Sequence, residues 1–125
     1  VSCIGILGKV AIAECAVAFN QQINAVVVDH QQMVPEFFFL QVMGPRFQSA
    51  MQAACSGTTV PIVNKSRFCD LAIVAPPLPQ QQVIVERLTQ LRRDFAVLRR
   101  IQARKLAALD ELKASLLHQA FTGAL

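Results

Sequence analysis

The first candidates for covalent or metal chemistry in this 125-residue chain are its cysteines and histidines: Cys3, Cys15, Cys55, Cys69, His30 and His118. A cysteine attacks as its thiolate, so a catalytic one needs a neighbouring base and donors for the charge that develops. Cys15 is the candidate for such a role, yet the sequence around it holds no nucleophile elbow, phosphate loop or carboxylate pair. Zinc ligands come in short, regular spacings. Here no C-x-x-C pair occurs, and neither histidine stands at ligand distance along the chain from a cysteine. Nothing else suggests secretion, so disulfides are not expected. The reading is four small apolar side chains in a reducing cytoplasm, in a chain without catalytic residues, metal or cofactor.

The remaining chemistry is that of charge. Residues 1–79 carry Lys9, Arg46, Lys65 and Arg67 against Glu14, Asp29, Glu36 and Asp70, so the whole formal charge of +4 belongs to residues 80–125. Arg92, Arg93, Arg99, Arg100, Arg104 and Lys105 crowd one stretch in which Asp94 is the only acid. Such a run suits phosphates or an acidic protein surface, and equally a solvated helix face whose alkyl stems lie over apolar neighbours. The basic residues overlap the apolar stripe instead of preceding it, which excludes a leucine-zipper DNA fork.

The elements that would position these groups follow two patterns. In the first, Val1–Ile4 and Val10–Ala13 read as strands around a turn at Gly5–Gly8. Ile23–Val28 and Ile73–Val74 read as further strands. Apolar residues at three- and four-residue steps from Pro35 to Ala54 predict two short helices either side of Gly44-Pro45. Ser56-Gly57-Thr58-Thr59 reads as a loop, and Asn64 or Ser66 as the cap of a one-turn helix ending by Leu71. In the second pattern, a single helix runs from about Pro79 to Phe121, with proline at its start and Thr122-Gly123 at its stop. At about 1.5 Å per residue it forms a rod near 60 Å long. Although 54% of the residues are apolar, no uninterrupted run reaches the roughly 18 that a membrane span needs. The fold expected is α+β: a small mixed domain over residues 1–78, then one long coiled-coil-forming helix over residues 79–125.

That helix carries one heptad phase. Its a and d positions are Ile84, Leu88, Leu91, Phe95, Leu98, Gln102, Lys105, Leu109, Leu112 and Leu116, with Gln81 to Leu88 at the start of the seam. Gln102 and Lys105 interrupt it, and Ile101 and Leu106 broaden it there. A polar pair in a seam either fixes register and partner or marks a local swing of the stripe. Each buried Leu, Ile or Phe is worth roughly 1.5–3 kcal/mol, so the seam calls for another helix, most simply that of a second copy.

Three stretches, "GILGKVAIAECAVAFNQQINAVV", "SGTTVPIVNKSRFCDLAIVAPPLPQQQVIV" and "LDELKASLLHQAFTGAL", together resemble the specificity subunit of type I restriction–modification systems. The resemblance rests on Gly5, Gly8 and Lys9; Asn20 and Gln21; Gly57, Thr58 and Pro61 with Asn64 and Lys65; Pro76, Pro77, Leu78 and Gln81; and Leu116, Leu117, Ala120, Phe121 and Gly123. Each motif is short, but five stand in the family's order. Gln80 departs from it, since an acidic residue usually stands there. Family members carry two recognition domains and two long helices, so the match implies that this chain corresponds to the end of one such repeat.

The resemblance implies a non-catalytic reader of double-stranded DNA. In the family each target-recognition domain reads half of a split target, and the long helices pack antiparallel as a spacer. These helices also dock methyltransferase subunits, which bind S-adenosylmethionine; the restriction subunit is a further partner. Carried onto this sequence, it makes Lys9 and Lys65 phosphate contacts, and Asn20, Gln21, Thr58 and Thr59 contacts to base edges or backbone. Plainer roles compete: a hairpin closure for Gly5–Lys9, backbone hydrogen bonding for Asn20 and Gln21, and a helix cap for Asn64. The helix interface expected is Ile84, Leu88, Leu91, Phe95, Leu98, Leu109, Leu112 and Leu116, in a cytoplasmic homodimer with no membrane contact.

Overall fold

Prolines decide where three of the four helices begin. The computed structural model describes residues 1–57 and 59–123 and contains α1 (Pro35–Met43), α2 (Pro45–Ala53), α3 (Lys65–Cys69) and α4 (Leu78–Thr122). Pro35 and Pro45 occupy first-turn positions, where a missing N–H breaks no intrahelical bond. Gly44 ends α1 and precedes α2, so the break falls at Gly44-Pro45 as the sequence suggests. α3 is capped by Asn64, whose Oδ1 accepts the Arg67 N–H at 2.9 Å. α4 has Pro79 as its second residue and closes with the Thr122 hydroxyl donating to the His118 carbonyl at 2.8 Å.

The expected strands shrink to points. Antiparallel bridges join Ser2 to Ile23, Ile4 to Ile62 and Ser56 to Ile62, each isolated. Val10–Ala13, Ile73–Val74 and the rest of Ile23–Val28 form no strand among the described residues. β-Branched side chains favour extended backbone, but a strand also needs a neighbour of matching register. Two turns between the extended pieces rest on glycine. Gly8 has φ +76°, and a Cβ there would strike the Gln48 carboxamide; Gly57 has φ +104°, and a Cβ would strike the Val60 carbonyl oxygen. The extended pieces are therefore laced to residues 1–5 by single bonds, such as Cys3 N–H to Gln22 C=O (2.7 Å) and Val63 N–H to Cys3 C=O (2.9 Å).

The chain divides into two compact units, Val1–Glu86 and Arg87–Leu125. In the first, Cys3, Val42, Phe47, Met51, Val63 and Phe68 form the core. Phe47 and Met51 are one helical turn apart on α2, and Phe68 of α3 meets Phe47 edge-on with ring centroids 6.3 Å apart. The second unit consists of helix from Arg87 to Thr122, and every residue of that stretch is exposed.

Candidate nucleic-acid interface and partner helix

Three loops are tied to the first five residues, and they carry most of the candidate DNA contacts. Ser2 donates its N–H to the Lys9 carbonyl (2.8 Å), and its hydroxyl accepts the Lys9 N–H (2.9 Å). The Lys9 backbone is thus fixed while its side chain stays exposed. Asn20 and Gln21 lie in a turn whose Ile23 bridges Ser2. Asn20 Oδ1 accepts the Gln22 N–H at 3.0 Å, so at least that oxygen serves the turn; Gln21 is exposed. The third loop is closed by Ser56 and Ile62, which exchange backbone bonds of 2.8 and 2.9 Å. Thr59 is exposed on it, and Thr58 lies outside the described residues. Lys65 opens α3 with its side chain exposed. Asn64 does what a cap does. Lys9 and Lys65 are the exposed cations among these candidates.

Glutamines do the work that β-ladders would have done, and sequence reading overlooked this. Gln41 pairs with the backbone of Val74 in both directions, accepting its N–H (2.8 Å) and donating to its carbonyl (2.7 Å). Gln48 donates to the carbonyls of Gly8 (3.0 Å) and Val42 (2.6 Å). Gln81 is fully buried. Its Oε1 accepts the Val34 N–H at 2.8 Å, and its Nε2 donates to the carbonyls of Gln32 (2.8 Å) and Pro76 (2.7 Å). Gln81 therefore faces the globular unit and takes no part in the exposed seam, which begins at Ile84. The signal available in the sequence was a polar side chain at a heptad a position directly after a proline hinge. Among the described residues, no buried side-chain nitrogen or oxygen lacks a partner.

The cysteines divide by environment. Cys3 is in the core, accepts a bond from the Asn24 amide at 3.1 Å, and has its thiol pKa pushed up by burial. Cys15 and Cys69 are exposed and Cys55 is half-buried. Among the described residues no cluster of three His, Cys, Asp or Glu could hold a metal, and no helix is long and apolar enough to cross a membrane.

Two open apolar surfaces stand out among the described residues. The first is a groove of about 530 Å³ in the globular unit, lined by Val10–Ala13, Val17, Phe19 and Ile23–Val28 along with Phe38 and Phe39 of α1. Val27 is 97% exposed beside it. The second is the α4 seam, where Ile84, Leu88, Leu91, Phe95, Leu98, Leu109, Leu112 and Leu116 are all between 38% and 62% exposed.

Comparison with known proteins decides the family. The model of the type I restriction modification DNA specificity domain matches residues 1–104, through the globular unit and far into α4. The chain belongs to this family. The specificity subunit of the type I restriction enzyme EcoDI from Escherichia coli is 30% identical over 89 residues, covering 71% of this chain and 20% of that protein. The chain thus spans about a fifth of the length of the relative it matches. No solved structure matches. For a specificity domain, fixed loop backbones bearing free lysines and an unpartnered apolar helix are the two features that bear on function.

Proposed function

We propose that this specificity domain is a non-catalytic DNA-reading part of a type I restriction–modification enzyme of the cytoplasm. Residues 1–78 are its partial target-recognition domain and residues 79–125 its spacer helix. The observation that carries this is the family match, which runs unbroken from the loop-bearing unit into α4. Lys9 and Lys65 supply phosphate contacts; Asn20 through its free amide, Gln21, Thr58 and Thr59 approach base edges or backbone. The α4 seam pairs with a second copy of the chain, and the paired helices dock the methyltransferase subunits, to which the restriction subunit adds. The reading requires no cofactor on this chain. A gel-shift or fluorescence titration against mixed-sequence duplex DNA at several salt concentrations tests it. Affinity should fall steeply as salt rises, because phosphate contacts release counterions. Co-expression with a cognate methyltransferase subunit should give a complex that co-elutes.

A second reading has its own observation, the open apolar groove around Val17, Phe19 and Val27. A unit with that much uncovered apolar surface suits a truncated interaction module, one that dimerises or binds the methyltransferase without touching DNA. Affinity for DNA that is absent, or that does not respond to salt, would favour it.

A further inference from the structure

We propose that the open groove of the globular unit seats one β-strand, the stretch of polypeptide that leads into Val1 in a longer chain, held between residues 10–13 and 25–28. The proposal rests on the reading of residues 1–78 as part of a larger recognition domain. Residues 1–3 already have a neighbour on each side. On one, Val1 and Asn24 exchange both backbone bonds at 2.9 Å, and Cys3 N–H donates to Gln22 C=O at 2.7 Å. On the other, Ser2 N–H donates to Lys9 C=O at 2.8 Å and Ser2 C=O accepts Gly8 N–H at 2.9 Å. With Gly8 at φ +76°, two residues oppose one, the form of a β-bulge that opens on glycine. Polar groups that alternate in this way are those of a central antiparallel strand.

Both ladders stop at Val1, and the neighbours run on. Among the described residues, 10–19 and 25–28 make no backbone–backbone hydrogen bond. Val1, residues 10–13 and residues 23–28 line the same groove of about 530 Å³. Val10, Ile12, Val26, Val27 and Val28 are β-branched, as strand neighbours commonly are. A lipid or the apolar face of a helix would cover these side chains and leave two rows of N–H and C=O without partners; a strand satisfies both. The Val1 amine stands where a peptide N–H of such a ladder would stand. Burial pushes its pKa down, a cost to the charged form that a peptide N–H does not bear. The chain covers 20% of the relative it matches, so a polypeptide of that length has residues to supply the strand.

Antiparallel alternation sets the register. Continued from Ser2 and Lys9, the first and third residues ahead of Val1 exchange bonds with Ala11 and Ala13. Continued from Val1 and Asn24, the second and fourth exchange bonds with Val26 and Val28. Ile12 and Val27 fall between bonded pairs, and their N–H groups take no part.

The test is the full chain carrying a short strand of alternating Thr and Val ahead of Val1, compared with a Gly-Ser extension of equal length and with the unextended chain. Amide hydrogen exchange is followed by NMR on isotope-labelled protein. The Thr-Val extension should slow exchange at Ala11, Ala13, Val26 and Val28 by about tenfold or more, and leave Ile12 and Val27 unchanged. Exchange unaltered at either pair overturns the proposal, and so does protection shifted to Ile12 and Val27. Protection of the same four residues in the unextended chain that grows with protein concentration also overturns it, since a second copy then fills the groove. DNA binding by the extended chain at several salt concentrations is read separately. Salt-dependent binding without the protection overturns the strand and leaves the recognition-domain reading standing. Protection without DNA affinity upholds the strand and counts against that reading.

Discussion

Val1–Glu86 and the helix beyond Arg87 solve opposite halves of the folding problem. The first unit has too little regular structure to pair its backbone, so side chains finish the pairing: Gln41, Gln48 and Gln81 reach seven backbone groups of coil and helix ends. It has a core nonetheless. The second unit pairs its backbone along an unbroken helix and, among the described residues, buries no side chain. A helix with a bare apolar stripe is complete only in company. The difference teaches where each unit is vulnerable: the first to loss of packing, the second to loss of a partner.

The largest effect should come from the helix. Changing Leu91→Glu and Leu98→Glu together places four charges in the seam of a dimer, at sites where each leucine is worth roughly 1.5–3 kcal/mol when buried. We expect a monomer, or insoluble protein, by size-exclusion with light scattering. A well-folded dimer that survives the double change would remove the seam as the interface and, with it, the contrast between the units.

The next effect should come from the core and leave the helix alone. Met51 is fully buried beside Phe47 and Val42. Met51→Ala should destabilise the first unit by about 2–5 kcal/mol in thermal or urea unfolding, the usual range for a buried large-to-alanine change. Dimerisation through α4 should persist. If the dimer is lost in step with the core, the two regions do not stand apart energetically.

These two effects also show how much was legible in the sequence. Helices write themselves in local grammar, so Pro35, Pro45, Asn64 and Pro79 marked the starts, and the heptad phase marked an apolar stripe that α4 leaves exposed. Strands depend on a distant neighbour. Val26, Val27 and Val28 announce extended backbone but cannot say whether anything lies beside them, and here nothing pairs with them among the described residues. Gln41 and Gln48 were illegible for a related reason. A carboxamide that bonds backbone 33 to 40 residues away has no local signature, whereas Gln81 stood out as a polar residue at a heptad a position after the proline hinge. The DNA-contact candidates came from resemblance alone; the structure added that Asn20 is partly committed to its own turn.

A smaller effect concerns Lys9 and Lys65, exposed on backbones that are fixed by hydrogen bonds. Alanine at either should weaken DNA binding uniformly across sequences and reduce the slope of log affinity against log salt by about one each. Stability should hardly change. An unaltered salt slope in the double variant would move the phosphate contacts elsewhere, and the Arg92–Lys105 run of α4 would become the place to look.

The smallest effect sharpens the contrast at a single residue. Asn64 stands beside Lys65, and both come from the same stretch of family resemblance, yet the structure gives them different work. The Asn64 Oδ1 holds the Arg67 N–H at 2.9 Å and so serves the start of α3. That short helix brings Phe68 onto Phe47. Asn64→Ala should therefore cost about 1 kcal/mol, the common value for a lost N-cap, and Asn64→Asp should restore most of it. Neither change should alter the salt slope of DNA binding, because the cap is occupied by backbone. A loss of DNA affinity without a loss of stability would show that a residue serving the fold of the first unit also serves its partner, and the line between self-satisfied and partner-seeking regions would have to be drawn inside α3.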